Sequence, residues 1–259
     1  MHSRPPHGAE VVTDPVRFSA LKHIGRSPAH YRAALEASYD SPAMLFGRVV
    51  HAMVLGHGSW TVYEGERRGK AWSDFKSDNE GVDIITAQEF RRARDCADAV
   101  LNDPVAAPFL VGDRERRIEW THNGRACRGT PDVIGTDCIV DLKTTTDASP
   151  GLFARAALRM GYHAQLAWYQ HGVEAALGRT CPGGVLIAVE SKAPYVVTTV
   201  RLTDRAIAAG HKAWVAWFER LMACEESGVW PGYSQSIVDL DVPDEDAFEG
   251  LIIDGEEIA

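Results

Sequence analysis

RGTPDVIGTDCIVDLKTTT, residues 128–146, carries the clearest structural signal in this chain. β-Branched and apolar residues fill both halves of the stretch, and Gly135, Thr136 and Asp137 punctuate its middle. Such a pattern is typical of two short strands joined by a tight turn. The stretch therefore predicts a β-hairpin, and the rest of the chain can be interpreted around it.

Acidic and basic side chains share one face of the second predicted strand. Because side chains alternate along a strand, Asp141 and Lys143 fall on the same face as Ile139. On the adjoining strand Asp132 follows Pro131, a residue that a central ladder would normally reject. The hairpin thus combines a P-D pair, a spacer and a D-x-K triplet.

This combination suits the hydrolysis of a phosphodiester. The reaction needs a divalent cation, an activated water and neutralisation of charge on the phosphoryl oxygens. Two carboxylates, Asp132 and Asp141, could hold Mg²⁺ or Mn²⁺, and Lys143 could orient the water or stabilise the transition state. The alternative is an ordinary hairpin with an ion pair at its edge, since D-x-K alone is a short motif.

Further motifs surround the hairpin on both sides. They are Gly47-Arg48-Val49-Val50-His51 upstream and Gln165-x-x-x-Tyr169 downstream, with outer matches at residues 18–21, 27–31 and 230–233. With these motifs the chain resembles the PD-(D/E)XK nuclease superfamily. More narrowly, it is similar to the RecE-like branch, the exodeoxyribonuclease VIII-like enzymes of phages and prophages.

The resemblance implies a role for each residue of a site. The metal ligands would be His51, Asp132, Asp141 and the backbone carbonyl of Leu142, and Lys143 would be catalytic together with the two aspartates. Without the resemblance, a lone histidine such as His51 is more often a core residue than a ligand.

Two further positions have open alternatives. Gln165 and Tyr169 share a helix face, and the resemblance places them at the edge of the site, where they would bind phosphate or the attacking water. Otherwise Tyr169 is a core residue and Gln165 is solvated. Glu115 is interpreted either as a second-shell or second-metal ligand or as the partner of neighbouring arginines.

The predicted fold is α/β, with a restriction-endonuclease-like core in which helices flank a mixed central sheet. Residues 1–239 would form a single RecE-like nuclease domain, with an N-terminal helical part at 18–110 and a catalytic core at 111–224. Residues 240–259 would be an acidic C-terminal tail. Residues 114–122 are predicted to form the first strand of the nuclease sheet, whereas residues 60–83 give no clear signal.

The net charge of −9 is concentrated at the C-terminal end. Residues 221–259 contain eleven acids and no Lys or Arg, so residues 1–220 carry +2. Basic clusters at 67–70, 91–94 and 114–117 could contact phosphates, or they could be solvated helix faces.

Cysteine spacing and hydropathy limit which cofactors the protein could bind and in which compartment it could lie. Five cysteines are scattered without the close spacing of a zinc or iron–sulfur site, so we expect no iron–sulfur cluster of the kind found in Cas4 and AddB nucleases. No run approaches the roughly 18 apolar residues of a membrane span, and the N-terminus lacks a signal-peptide pattern. We expect a cytoplasmic protein without a membrane partner, in the host cytoplasm if it is phage-encoded.

The resemblance implies a Mg²⁺- or Mn²⁺-dependent 5′-to-3′ exonuclease. It would degrade one strand of double-stranded DNA and leave 3′ overhangs for recombination by strand annealing. A ring-shaped homo-oligomer and a single-strand annealing protein as partner are also implied. The alternatives are a Cas4-like or RecB-like nuclease of different polarity or acting on single-stranded DNA, and a non-catalytic DNA-binding protein that keeps the fold.

Overall fold

The computed structural model describes residues 14–36, 40–234 and 236–239, and the backbone of two short strands at Ile252–Ile253 and Glu256–Glu257. These two strands pair antiparallel with each other. The rest of the predicted acidic tail, 240–259, lies outside the described residues.

Short helical elements begin the described chain. Strand β1 (Val16–Arg17) leads into helix α1 (Phe18–Leu21) and a 3₁₀ turn (Lys22–Gly25). Helix α2 (Pro28–Glu36) follows. Ser41 caps helix α3 (Pro42–Leu55) by accepting a hydrogen bond from Met44 N, and Gly56 ends it in the left-handed conformation.

The region without a sequence signal contains regular structure. Strands β2 (Trp60–Val62) and β3 (Asp83–Ile85) pair in parallel, and helix α4 (Gly69–Asp78) connects them. Helix α5 (Ala87–Asn102) then begins at a capping box made by Thr86 and Glu89.

The strand predicted at 114–122 is broken, which corrects the prediction. Glu115 has φ 44, in the left-handed region that bulky residues seldom adopt, and its N–H donates to Asp132 O at 2.9 Å. This bend separates strand β4 (Asp113–Arg114) from strand β5 (Ile118–His122). Strand β5 pairs with β6 (Arg125–Gly129) across the predicted Asn-Gly turn, in a separate three-stranded sheet completed by β1.

The remaining elements follow the predicted order. The hairpin consists of β7 (Val133–Ile134) and β8 (Cys138–Thr145), and helices α6 (Pro150–Met160) and α7 (Tyr162–Leu177) come after it. Strands β9 (Gly183–Glu190) and β10 (Val197–Arg201) precede the long helix α8 (Asp204–Ser227).

The central sheet is mixed, and its order is β10-β9-β8-β7-β4. Strand β8 lies in the middle, parallel to β9 and antiparallel to β7. On one face Ile139 belongs to a core that includes Trp168 of α7 and Trp214 of α8. On the other face Val140 and Leu142 pack in a core with α3 and α5. The predicted α/β fold with a flanked mixed sheet is therefore confirmed.

No helix in the described part of the chain is both long enough and apolar enough to cross a membrane.

Candidate active site

The hairpin opens at the point where its two acids lie. In the β7–β8 ladder Val133 pairs with Val140 and Ile134 pairs with Ile139. Extending this register by two residues places Pro131 opposite Leu142. Proline has no N–H, so it cannot donate to the Leu142 carbonyl across the ladder. The Leu142 N–H instead donates to Asp132 Oδ2 at 2.6 Å. The sequence thus ends the ladder here and turns a carboxylate towards the backbone of β8.

Helix α3 brings His51 to the same place. His51 Nδ1 lies 3.5 Å from Asp132 Oδ1, longer than an ordinary hydrogen bond but close enough for a strong charge interaction. One turn earlier, a Cβ on Gly47 would lie 3.3 Å from Thr144 Oγ1. The missing side chain of Gly47 therefore lets helix α3 approach strand β8 closely.

Asp141 and Lys143 form an ion pair on one face of β8. Lys143 Nζ lies 2.6 Å from Asp141 Oδ2, but the approach lacks hydrogen-bond geometry, and this buried oxygen has no hydrogen-bond donor among the described residues. Asp141 is 2% exposed and Asp132 is 9% exposed. A buried carboxylate oxygen without a donor is costly unless a cation compensates it.

The charges in this cluster determine one another's pKa values. Burial raises the pKa of Asp132, but the His51 and Lys143 charges and the Leu142 N–H outweigh burial and lower it. For Asp141, burial and the Asp132 charge outweigh Lys143, so its pKa is raised. Burial lowers the pKa of His51, yet the carboxylates, Asp132 above all, raise it overall. The pKa of Lys143 is raised because the Asp141 charge overcomes the effect of burial, so the amine is protonated.

Two residues of helix α7 support the lysine. Lys143 Nζ donates to Gln165 Oε1 at 3.2 Å, and Gln165 Nε2 donates to Tyr169 OH at 3.1 Å. Tyr169 is buried, and burial with the nearby Asp141 charge raises its pKa. Gln165 and Tyr169 share a face as predicted, and the structure shows them in contact with Lys143 and each other. Their contact with phosphate or water stays a prediction.

Glu115 lies at the edge of the cluster through its backbone bond to Asp132. Burial, and then the Asp132 charge, raise the pKa of the Glu115 carboxyl. Within the described chain Glu115 makes no ion pair with the neighbouring arginines, because Arg116 binds Asp113 and Arg117 binds Glu119. The alternative that it pairs with them is wrong, and its role near the metal stays a prediction.

A cavity of about 650 Å³ reaches this cluster from solvent. It opens between α3 and β8, and its lining includes His51, Glu115, Lys143 and Tyr162. The opening gives a ligand a route to His51 and Lys143, whereas Asp132 and Asp141 lie behind its lining residues.

The cluster has the donors that a hard divalent ion prefers. Among the described residues, no three His, Cys, Asp or Glu side chains already stand together as a complete metal site. The available donors are nevertheless oxygen-rich: Asp141 and Asp132 supply two buried carboxylates, the first paired with the Lys143 ammonium, and the backbone carbonyl of Leu142 lies between Asp141 and Lys143 in the chain. Mg²⁺ and Mn²⁺ favour such oxygens and take further ligands from water or substrate, so these residues fit the ion.

The comparison with protein families decides the classification. Residues 17–240 match the model of the PDDEXK-like domain of unknown function (DUF3799). The chain belongs to this family. The predicted membership of the PD-(D/E)XK superfamily is confirmed. No curated protein matches the chain.

The chain is also similar to solved structures. A protein from Eubacterium rectale described as a "Putative exonuclease" is 15% identical, with a TM-score of 0.64 over 97% of this chain and 99% of its own. A phage related exonuclease from Haemophilus somnus 129PT is 15% identical over 81% of this chain and 96% of its own, with a TM-score of 0.37. An alkaline exonuclease from Laribacter hongkongensis is 14% identical over 69% and 89%, with a TM-score of 0.31. Only the first of these TM-scores indicates a shared fold.

The sequence analysis missed Tyr162 as a residue of the PDDEXK-like site. The Lys143 ammonium lies 4.5 Å from the centre of the Tyr162 ring, as in a cation–π contact. A signal was available, because Tyr162, Gln165 and Tyr169 recur at helical spacing along one face of α7. The family motif covers only the last two of these positions.

The basic clusters are largely occupied within the protein. Arg67 and Arg68 pair with Glu89 and Glu66, and Arg92 donates to Ser191 O. With Arg116 and Arg117 also paired, these clusters give little support to a phosphate surface. The alternative of ordinary surface charge fits them better.

Proposed function

We propose that this PDDEXK-like protein is a Mg²⁺- or Mn²⁺-dependent DNA exonuclease. It degrades one strand of double-stranded DNA in the 5′-to-3′ direction and leaves 3′ overhangs for recombination by strand annealing. The observation that carries the proposal is the convergence of Asp132, Asp141 and Lys143 from two strands with His51 from a helix. The substrate class is supported by the exonuclease description of the Eubacterium rectale protein, which shares the fold.

Four groups would hold the ion: His51, Asp132, Asp141 and the Leu142 carbonyl. When bound, the divalent ion supplies Lewis-acid stabilisation of the charge that develops on the phosphoryl oxygens. Before the ion binds, His51 Nδ1 already lies 3.5 Å from Asp132 Oδ1, and on binding the ion would draw the Asp141 carboxylate to the same position. Glu115, held to Asp132 through the backbone, is proposed to adjust this position from outside the ligand set.

Lys143 acts as a fixed positive donor. Its ammonium is held by Asp141, Gln165 and the ring of Tyr162, so it points to one place. A protonated amine cannot accept a proton, so Lys143 donates a hydrogen bond to the attacking water or to a phosphoryl oxygen. Preorganised donors of this kind stabilise the transition state without reorganisation during the reaction.

The wider setting of the proposal comes from the RecE-like resemblance. We infer one nuclease domain over residues 1–239, with the helical part at 18–110 contributing His51 and the core at 111–224 contributing the other residues. A ring-shaped homo-oligomer around DNA, an annealing protein as partner and a cytoplasmic location complete the proposal.

Digestion of end-labelled linear duplexes tests the function. With Mg²⁺ or Mn²⁺, we expect release of a 5′ label as mononucleotides while the complementary strand survives, and no release with Asp141→Asn. Release from 3′ ends, or digestion of single strands only, would favour a Cas4-like or RecB-like nuclease. Binding of the duplex without hydrolysis in either metal would support a non-catalytic DNA-binding protein instead.

A further inference from the structure

A second depression lies beside the candidate active site. It has a volume of about 380 Å³ and lies between the end of β8 and the exposed side of α6. Thr145, Thr146 and Asp147 line one wall, and Leu152, Arg155 and Arg159 line the other. We call this depression the α6 groove.

The arginines of the α6 groove have no partner in the described part of the chain. Arg155 and Arg159 are exposed and one helical turn apart, so both guanidinium groups reach the same groove. Neither makes an ion pair or a side-chain hydrogen bond with any described residue, whereas Arg48 and Arg179, for example, pair with aspartates. The arginines are therefore available to an anion.

The one acid of the α6 groove is engaged locally. Asp147 Oδ1 accepts a hydrogen bond from Ser149 N at 2.7 Å, and these contacts with Ser149 lower the pKa of the carboxyl. Two guanidinium groups against one carboxylate leave the lining with a net positive charge. The exposed hydroxyl of Thr146 adds a hydrogen-bond donor.

The α6 groove lies close to Lys143 of the candidate active site, along strand β8. Thr145 follows Lys143 by two residues on β8 and lies on the same face, which separates them by about 7 Å. A DNA strand carries one phosphate per roughly 3.4 Å of helix axis. Successive phosphates are also displaced around that axis, so they lie farther apart than this rise, and a strand whose scissile phosphate lay at Lys143 would place a neighbouring phosphate near the α6 groove.

We propose that the α6 groove binds the phosphodiester backbone of the substrate strand next to the bond that is cleaved. Arg155 and Arg159 contact the phosphate, and the apolar side chain of Leu152 contacts the sugar. The inference rests on the proposed function. It adds two positioning residues that none of the sequence motifs contains.

Salt-dependent DNA binding tests the α6 groove. Binding is measured by fluorescence anisotropy with a labelled linear duplex, in EDTA so that the DNA stays intact. The slope of the logarithm of the binding constant against the logarithm of the salt concentration reports the number of phosphate contacts. We expect the slope of Arg155→Gln/Arg159→Gln to be smaller in magnitude by about 2, one for each lost contact. In hydrolysis, KM should rise while kcat is retained. Arg155→Lys/Arg159→Lys keeps the charge and should keep most of the slope.

Arg205→Gln/Arg220→Gln is the matched control. It removes two exposed arginines of α8, which also make no ion pair with described residues, and it should leave slope and KM unchanged. If Arg155→Gln/Arg159→Gln leaves the slope unchanged and hydrolysis is intact, the proposed role of the α6 groove is wrong, but the proposed nuclease activity is not. An equal loss in the control would have the same consequence. If the unaltered protein neither binds nor hydrolyses the duplex, the proposed function itself fails.

Discussion

Lys143 is held from three sides, by the carboxylate of Asp141, the amide of Gln165 and the ring of Tyr162. Asp141 balances the charge of the ammonium, and the hydrogen bond to Gln165 fixes its direction. The D-x-K spacing predicts only the first of the three contacts, because it concerns neighbours on one strand. The other two depend on how α7 packs against β8, and the D-x-K spacing carries no information about that packing.

Replacing the lysine separates its role from that of the metal ligands. We expect Lys143→Ala to reduce turnover by about 10²–10³-fold, the usual loss for one preorganised donor. Mn²⁺ and duplex binding should persist, since an ammonium is not a cation ligand. Single-turnover hydrolysis and a Mn²⁺ titration measure the two effects. Loss of Mn²⁺ affinity in this variant would contradict the assigned role.

The ring of Tyr162 can be tested with a matched pair of variants. Tyr162→Phe keeps the ring beneath the ammonium and should behave like the unaltered protein. Tyr162→Leu removes a contact worth about 0.5–2 kcal/mol, so turnover should fall by roughly 2- to 30-fold. If both variants are equally slow, the hydroxyl rather than the ring is what matters. If neither variant slows hydrolysis, the contact has no catalytic effect.

At the scale of elements, local sequence signals are sufficient to locate most of the helices. The Ser41, Thr86 and Thr203 side chains cap α3, α5 and α8, and such a cap depends only on residues within one turn. The bend at Glu115 was missed because it depends on Asp132, far along the chain. Helix α4 was also missed, since none of its residues is buried.

Strand β6 contributes to the site through an absent side chain. A Cβ at Gly129 would lie 2.9 Å from the Tyr169 ring, so Gly129→Ala must push the tyrosine aside. We expect this overpacking to cost about 1–3 kcal/mol of the free energy of unfolding. Turnover should also fall, because Tyr169 holds Gln165 and Gln165 contacts Lys143.

Gly151→Ala is the control for Gly129→Ala. It places the same methyl group in open space at the beginning of α6 and should leave stability nearly unchanged. Urea denaturation measures both variants. Equal stability of the two would show that Tyr169 does not pack against β6 as described.

At the scale of the whole molecule, partly buried histidines lie among aromatic rings where β5, α7 and α8 meet. The His122 and His171 rings are 4.9 Å apart, and His171 lies 5.1 Å from Trp214. Burial lowers the pKa of both histidines, and the charge of His211 lowers each further. Glu174 opposes this effect at His171 without reversing it.

This cluster predicts a loss of stability in mild acid. A histidine whose pKa is lowered by folding binds protons more readily when unfolded, so its contribution is complete above about pH 6.5 and declines as the pH falls below that value. We expect a lower Tm at pH 6 than at pH 8. In His171→Gln that difference should shrink, whatever the variant's Tm at pH 8. An unchanged difference would assign the acid sensitivity to other groups.

The most direct test of the whole account is the affinity of the folded protein for Mn²⁺, measured by electron paramagnetic resonance. The account predicts binding by the unaltered protein and at least about tenfold weaker binding by Asp132→Asn, Asp141→Asn and His51→Ala, since even outer-shell partners of a metal cost about 10–100-fold. Glu225→Gln, at an ion pair with Arg125 remote from these motifs, should bind normally. Equal Mn²⁺ affinity in all five folded proteins would contradict a shared ion at His51, Asp132 and Asp141.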